Sequence, residues 1–207
     1  SGSVVRSGTL IEFEVYGTDP LVVRWSEGGE WHDLGQLRSI STFGWSEGTH
    51  NILINATDSL NGCDQISFTI TVDDSGPDIV LISPQNGAFV TKTDVLRLTV
   101  VYSNFLSVNW TLWGLRWKST NPELYISLAS SPADGWFTVQ LTATDLAGNK
   151  ASEAFTFAMD SVAPKVSIAN LASGGAIRPG TAIDAVVSDA FLSSVTCSLD
   201  SGVTSAL

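Results

Sequence analysis

The chain has 207 residues, is 43% hydrophobic and carries a net charge of −11 at neutral pH. Nucleic acids and anionic membranes both select basic patches, so this balance argues against either as a partner. No run of about 18 apolar residues occurs, so no membrane insertion is expected within this segment.

The elements read as strands from the start. Leu21, Val23 and Trp25 alternate with polar neighbours, as a half-buried strand requires. Residues 27–33 hold Gly28, Gly29 and His32 and read as a loop specific to this region. Gly48-Thr49-His50-Asn51-Ile52-Leu53-Ile54-Asn55-Ala56-Thr57-Asp58 is a second strand, closed by the turn signal Asn61-Gly62. Phe68-Thr69-Ile70-Thr71-Val72 alternates again. The linker Asp73-Asp74-Ser75-Gly76-Pro77-Asp78 follows, short and stiffened by proline.

Then the pattern returns. Gly135-Trp136-Phe137-Thr138-Val139-Gln140-Leu141-Thr142-Ala143-Thr144-Asp145 repeats the run from Gly48 to Asp58 at an offset of 87 residues. The same offset relates Phe68 to Phe155, Asp73 to Asp160 and Pro77 to Pro164. A constant offset over that distance marks one structural unit repeated. In the second copy strands are expected at 79–82, 88–91, 95–102, 107–113, 124–129, 136–143 and 152–159. A third copy starts with Ser173-Gly174, Ile177-Arg178-Pro179-Gly180-Thr181 and Phe191-Leu192-Ser193. It stops about halfway, so the chain is expected to be a piece of a longer protein. The sets Leu21/Val23/Trp25, Val108/Trp110/Leu112 and Val195/Cys197/Leu199, each 87 residues apart, are read as equivalent inward faces. About seven short strands per unit is the pattern of an immunoglobulin-like sandwich. The expected fold is therefore all-β, with Ig-like sandwiches end to end: residues 1–76 (opening strand missing), 77–163, and the first half of a third over 164–207. Cys63 and Cys197 fall at unrelated positions of different copies, which leaves no disulfide within one domain. Cys197 is expected to face inward as a small hydrophobe.

The runs Ala143-Thr144-Asp145-Leu146-Ala147-Gly148-Asn149 and Val162-Ala163-Pro164-Lys165-Val166 resemble the tandem Ig-like repeats of large bacterial and archaeal surface proteins. The first unit departs from the pattern in its loop, where Leu60-Asn61-Gly62-Cys63 replaces the usual Ala-Gly-Asn. The resemblance implies an extracellular, cell-surface protein: an adhesin, a surface-layer protein or a spacer in a secreted enzyme. The immunoglobulin Cys…Trp…Cys arrangement is absent, so antibody-like recognition is not implied.

Sandwich topology brings Asp145 and the loop at Ser103-Asn104 to the pole where the linker enters, with Asp73, Asp74 and Asp78. The counterparts of that loop are Thr18-Asp19 and Ser188-Asp189. Two readings follow. These oxygens converge on an interdomain Ca²⁺, which takes six to eight of them; or Asp58 and Asp145 cap their own turns through side-chain to backbone hydrogen bonds. Among seven tryptophans, Trp25 and Trp110 are assigned to the core. Trp113, Trp117 and Trp136 are the candidates for stacking on a sugar or anchoring an interface. Asn55 and Asn109 head N-glycosylation sequons and should point outward. No nucleophile elbow or metal-ligand spacing accompanies His32 and His50, and Glu27 and Glu30 read as a solvated turn, so no enzyme is expected. The expected role is mechanical, a rigid rod in a surface lattice, filament or adhesin stalk, touching other copies of itself or other surface proteins. The alternatives are a glycan- or protein-binding adhesion module, or accessory domains of a secreted hydrolase.

Overall fold

A computed structural model describes residues 2–17, 22–198 and 204–206. The first unit contains β1 (Ser3–Val5), β2 (Leu10–Glu12), β3 (Val22–Glu27), β4 (Glu30–Asp33), β5 (Ser39–Ser41), β6 (Gly48–Thr57) and β7 (Cys63–Val72). The second contains β8 (Asp78–Ser83), β9 (Phe89–Val90), β10 (Val95–Val101), β11 (Phe105–Leu112), β12 (Leu115–Ser119), β13 (Glu123–Ser127), β14 (Gly135–Asp145) and β15 (Lys150–Met159). After it come β16 (Lys165–Ile168), β17 (Ala185–Ser188), β18 (Thr196–Ser198) and β19 (Thr204–Ala206).

The second unit is an Ig-like sandwich. One sheet runs β13-β10-β8, and the other runs β12-β11-β14-β15-β9. All neighbours are antiparallel except β9, which pairs in parallel with the last strand, β15. The first unit repeats this plan with the order β1-β7-β6-β3-β4 facing the pair β2-β5. Period-two alternation decides which side chains meet. In β14, Val139, Leu141 and Ala143 point inward and are fully or nearly fully buried. They pack with Leu96, Leu98, Val108, Leu128, Phe157 and Met159 in one core. A separate core joins Val23, Ile40, Ile52 and Ile54 of the first unit. Each buried Val, Leu, Ile, Phe or Met side chain among them contributes about 1.5–3 kcal/mol. Among the described residues no helix is long and apolar enough to cross a membrane.

The structure corrects four expectations. Residues 27–33 are not a loop: Gly28 and Gly29 close a two-residue turn between β3 and β4, both with positive φ, as a hairpin of this length requires. Trp113 and Gly114 do the same between β11 and β12, which gives the second unit eight strands. The third correction concerns register. Val23 pairs with Ala56 and Trp25 with Ile54, while Val108 pairs with Ala143 and Trp110 with Leu141. Trp25 therefore corresponds to Trp110, 85 residues on, and not to Leu112. A slip of two keeps every side chain on the same face, so alternation alone could not detect it. Finally, Cys197 is exposed, because the described part of the third unit is two separate two-stranded ladders with no facing sheet over it. Thr18, Asp19, Leu21 and Leu199 lie outside the described residues.

Candidate functional site

The junction between the first two units is built around Asp73. Its side chain is buried at the end of β7. The Tyr102 hydroxyl donates to Oδ1 (2.5 Å) and to the Ser75 carbonyl (2.8 Å), and the Asn104 amide donates to Oδ2 (3.1 Å). Asn149 adds a link from the β14–β15 turn: its Nδ2 donates to the Asp73 carbonyl (2.7 Å) and to Asp145 Oδ2 (3.0 Å). Three side chains of the second unit thus hold the residue that follows β7 and opens the linker. Gly76 runs close beside the β14–β15 turn, where a Cβ would make an ordinary contact of 3.4 Å with the Lys150 carbonyl. Burial raises the Tyr102 pKa, and so do the hydrogen bond to Asp73 and the charges of Asp73, Asp145 and Glu47. The hydroxyl therefore remains a donor across the physiological range.

Of the residues considered for Ca²⁺, the structure brings Asp73, Asn104 and Asp145 together. Asp74 accepts the Ser7 backbone N–H (2.9 Å), and Asp78 is exposed at the start of β8. The donor set does not fit a cation. Asp73 receives hydroxyl and amide hydrogens where Ca²⁺ needs converging oxygens. Asn149 Oδ1 is the one buried amide oxygen without a partner there, far short of six. Among the described residues no group of three His, Cys, Asp or Glu is arranged to hold a metal. The two turn aspartates act as caps. Asp58 Oδ1 accepts the N–H groups of Leu60 (2.9 Å) and Gly62 (2.7 Å), and Asp145 Oδ1 accepts that of Asn149 (2.8 Å).

One device recurs at both junctions. Glu47, just before β6, accepts from the Asp74 N–H (3.1 Å) and the Ser75 hydroxyl (2.7 Å). Asp134, at the same place before β14, accepts from the N–H groups of Ser161 (3.1 Å) and Val162 (3.0 Å). Each linker is thereby clamped to the unit it leaves. Sequence reading missed both acids, although each lies 27 residues before the linker residue it holds, Asp74 and Ser161. Beyond the clamp the second junction is aromatic: Phe191 meets Phe89 (5.1 Å) and Trp136 (6.1 Å) edge to face.

The candidate tryptophans divide. Trp136, 61% exposed, sits at that second junction. Trp113 and Trp117 meet at the other edge of the sandwich. Trp117 stacks on Trp110 at 6.0 Å across β11 and β12, and Trp113 packs on Phe137 at 5.7 Å. With Tyr125, Ile126 and Pro132 they line a groove of about 530 Å³. Trp110 is half-buried against the core and also faces this groove. Trp113 holds a φ of +50°, a costly conformation for a bulky side chain, and its ring is kept against the core in return.

In the first unit the equivalent region is a column of rings. Trp25 stacks on His32 (4.7 Å) and Trp45 (5.6 Å), and Trp45 meets His50 (5.0 Å). His50 is buried, with Nδ1 against the Glu27 carboxylate and Nε2 2.8 Å from the Ser46 carbonyl. Burial opposes its charge, but the hydrogen bonds to Glu27 and Ser46 and the charge of Glu27 prevail, and its pKa is raised. Both sequon asparagines lie between inward neighbours. Asn109 is exposed, whereas Asn55 is half-buried and accepts the Thr57 hydroxyl (3.0 Å).

No family model and no curated protein matches the chain. Solved structures with similar architecture include the fibronectin(III)-like modules of Clostridium thermocellum CbhA, 15% identical over 77% of this chain and 90% of that one, with a TM-score of 0.47. The SGBP-B protein of the Bacteroides ovatus mixed-linkage glucan utilization locus, solved with a mixed-linkage heptasaccharide, is 16% identical over 75% of this chain and 42% of that one, TM-score 0.31. The four N-terminal Ig domains of Dscam1 isoform 4.44 are 14% identical over 77% and 43%, TM-score 0.40. This chain spans less than half the length of the last two. At such identities and TM-scores no role passes from these proteins to this one.

Proposed function

We propose that the chain is a stretch of rigid spacer from a cell-surface protein, in which successive Ig-like units serve as a stalk or lattice element of the bacterial or archaeal adhesin and surface-layer kind. The observation that carries this reading is the linker clamp, made by Glu47 at one junction and by Asp134 at the next. A spacer needs fixed angles between units, and backbone N–H groups held by carboxylates remove the freedom of the linker. The Asp73 hub adds buried hydrogen bonds to the same end. The role is mechanical rather than catalytic, and an extracellular location follows from it. The same geometry would serve beside the catalytic domain of a secreted hydrolase. Asn109 and Asn55 are the positions such a protein offers for N-linked glycans, with Asn109 the more accessible. Residual dipolar couplings across the first junction test the proposal. One inter-unit orientation should fit the wild type, and Asp73→Ala combined with Tyr102→Phe should broaden it. A wild type already averaging over wide angles would sink the spacer reading.

A second reading is an adhesion module that contacts a protein or glycan through Trp113 and Trp117. It is favoured by the open aromatic groove between β12 and β13.

A further inference from the structure

Among the described residues the smaller sheet of the first unit is one strand short. In the second unit it runs β13-β10-β8, whereas in the first only β2 and β5 are present. The two ladders correspond. Thr42 donates to the Thr9 carbonyl as Leu128 does to that of Asp94, and Ile11 pairs with Ile40 as Leu96 does with Ile126. Phe13 and Val15 therefore match Leu98 and Val100, which β8 faces with Leu81 and Ile79. Leu98 and Val100 are buried, but Phe13 and Val15 are only half-buried. In place of β8 a groove of about 690 Å³ runs between Phe13 and Val15 on one wall and Ile54, Ala56 and Ile66 on the other. The chain also carries a strand of the missing kind. β16 lies 87 residues after β8, with Val166 and Ile168 in the places of Ile79 and Leu81. Among the described residues β16 is bonded to β17 alone and no second sheet covers the pair, so Val166 is 67% exposed and Ile168 46%. A two-stranded ladder with no covered face is marginal in water, so little holds β16 where it is.

We propose that copies of this chain join head to tail by strand exchange, with β16 of one copy entering the first-unit groove of the next, antiparallel to residues 13–16 in the register of β8 on β10. This deepens the lattice-element reading and rests on it. Three observations select the occupant. The first is burial. In that register Val166 lies opposite Val15 and Ile168 opposite Phe13, so the exchange trades an uncovered ladder for a covered one of equal length. The second is charge. On the outer face the same register sets Lys165 diagonal to Glu14, within reach of a long side chain. A strand of the β8 sequence would bring Asp78 to that place, where Glu14 repels it. The third is reach. The Asp134 clamp holds Ser161 and Val162 and ends before Ala163 and Pro164, so β16 can leave β17 while the linker stays fixed. The contact joins unlike surfaces, so further copies can add at either end.

The test is sedimentation velocity of the chain from micromolar to millimolar concentration. Dimers and longer species should grow as concentration rises. Val166→Asp combined with Ile168→Asp should leave the chain monomeric. Neither residue belongs to the core of the first or second unit, so the melting of both should be unchanged. A cross-link reads the register. Gly76 lies against Lys150 in the second unit, and the repeat turns that pair into Ala163 of one copy and the exposed Cys63 of the next. In a Cys197→Ser background, Ala163→Cys should form disulfides with Cys63 between copies on oxidation, and Cys63→Ser should abolish that pairing. A chain monomeric throughout overturns the proposal, as does association that survives the double aspartate variant. The peptide acetyl-Pro-Lys-Val-Ser-Ile-Ala-amide, residues 164–169, separates the occupants. If it binds a chain that stays monomeric, the groove takes a strand but a second copy is not its source, and the proposal fails. The spacer reading is judged apart, by the dipolar couplings: a fixed junction in a monomeric chain sinks the exchange and leaves the spacer standing.

Discussion

The first two units share a plan, a register and a junction clamp, yet they treat one edge of the sandwich in opposite ways. The first stacks His32, Trp25, Trp45 and His50 into a closed column with Glu27 on the last ring. The second has Trp117, Trp110 and Phe137 at the matching places, with Leu112 where Glu27 stands and Ser131 in the turn that matches that of Trp45; Trp113 packs on Phe137, and a groove stays open beside Trp110 and Trp117. A repeat can keep its core and still change one surface by exchanging a few side chains along one edge. The edge of the first unit therefore serves stability, and that of the second is available for contact.

The largest expected effect breaks that contrast directly. Trp45→Ala should destabilise the first unit by about 3 kcal/mol, because a packed indole is lost and a cavity remains. Trp117→Ala should cost the second unit about 1 kcal/mol, the scale of an aromatic pair at the surface. Denaturant unfolding of each variant measures both, and a reversed order would dismiss the idea that only one edge is structural. Next comes the contrast of junctions. Asp73→Ala removes a buried acceptor from Tyr102 and Asn104 and should cost about 2 kcal/mol. Asp160→Ala, at the equivalent place, should change stability by less than about 0.5 kcal/mol, as surface substitutions do. Among the described residues the Asp160 side chain has no partner, only its backbone N–H donating to Val90.

A smaller effect concerns pH. The His50 pKa is raised in the folded chain, so its contribution is fully present below the ordinary value of 6.5 and is lost as pH rises through the raised one. Unfolding midpoints should decline from about pH 6.5 upward. Glu27→Gln should flatten that slope, and an unchanged slope would refute the assignment. The smallest expected effect is none. A chelator should leave the melting temperature where it was, since the Asp73 carboxylate is satisfied by hydroxyl and amide donors. A drop of several degrees would restore the ion.

Much of this architecture was legible in the sequence. The offset of 87 residues located β6 and β14, β7 and β15, and both linkers, because long strands with bulky inward residues leave a strong repeat. The hairpin strands β4 and β12 escaped notice. Their turns, Gly28-Gly29 and Trp113-Gly114, differ from each other, and Trp at a left-handed position gives no turn signal. The pairing of Trp25 with Trp110 was hidden by a two-residue slip that alternation tolerates. The meeting of Asp73 with Asp145 near Asn104 followed from topology, but the donors between them did not: Tyr102 and Asn149 act through amide and hydroxyl groups that no spacing rule marks. The groove needed both edges at once. Trp113 and Trp117 were candidates, whereas its far wall, Tyr125 and Ile126, belongs to the opposite sheet. The exchange of Trp45 for Ser131 sits in loops of unequal length, where a fixed offset loses its place.

One further consequence lies in the parallel pairs, β1 beside β7 and β9 beside β15. Each joins an early strand of a unit to its final one, and the ladder is extended by Gly2 to Thr69, Asp73 to Val5, Gly87 to Thr156 and Asp160 to Val90. Tension applied along the polypeptide drags these neighbours past one another in opposite directions. Their hydrogen bonds are then loaded in shear and must rupture together, instead of peeling apart one by one as at the end of an antiparallel hairpin.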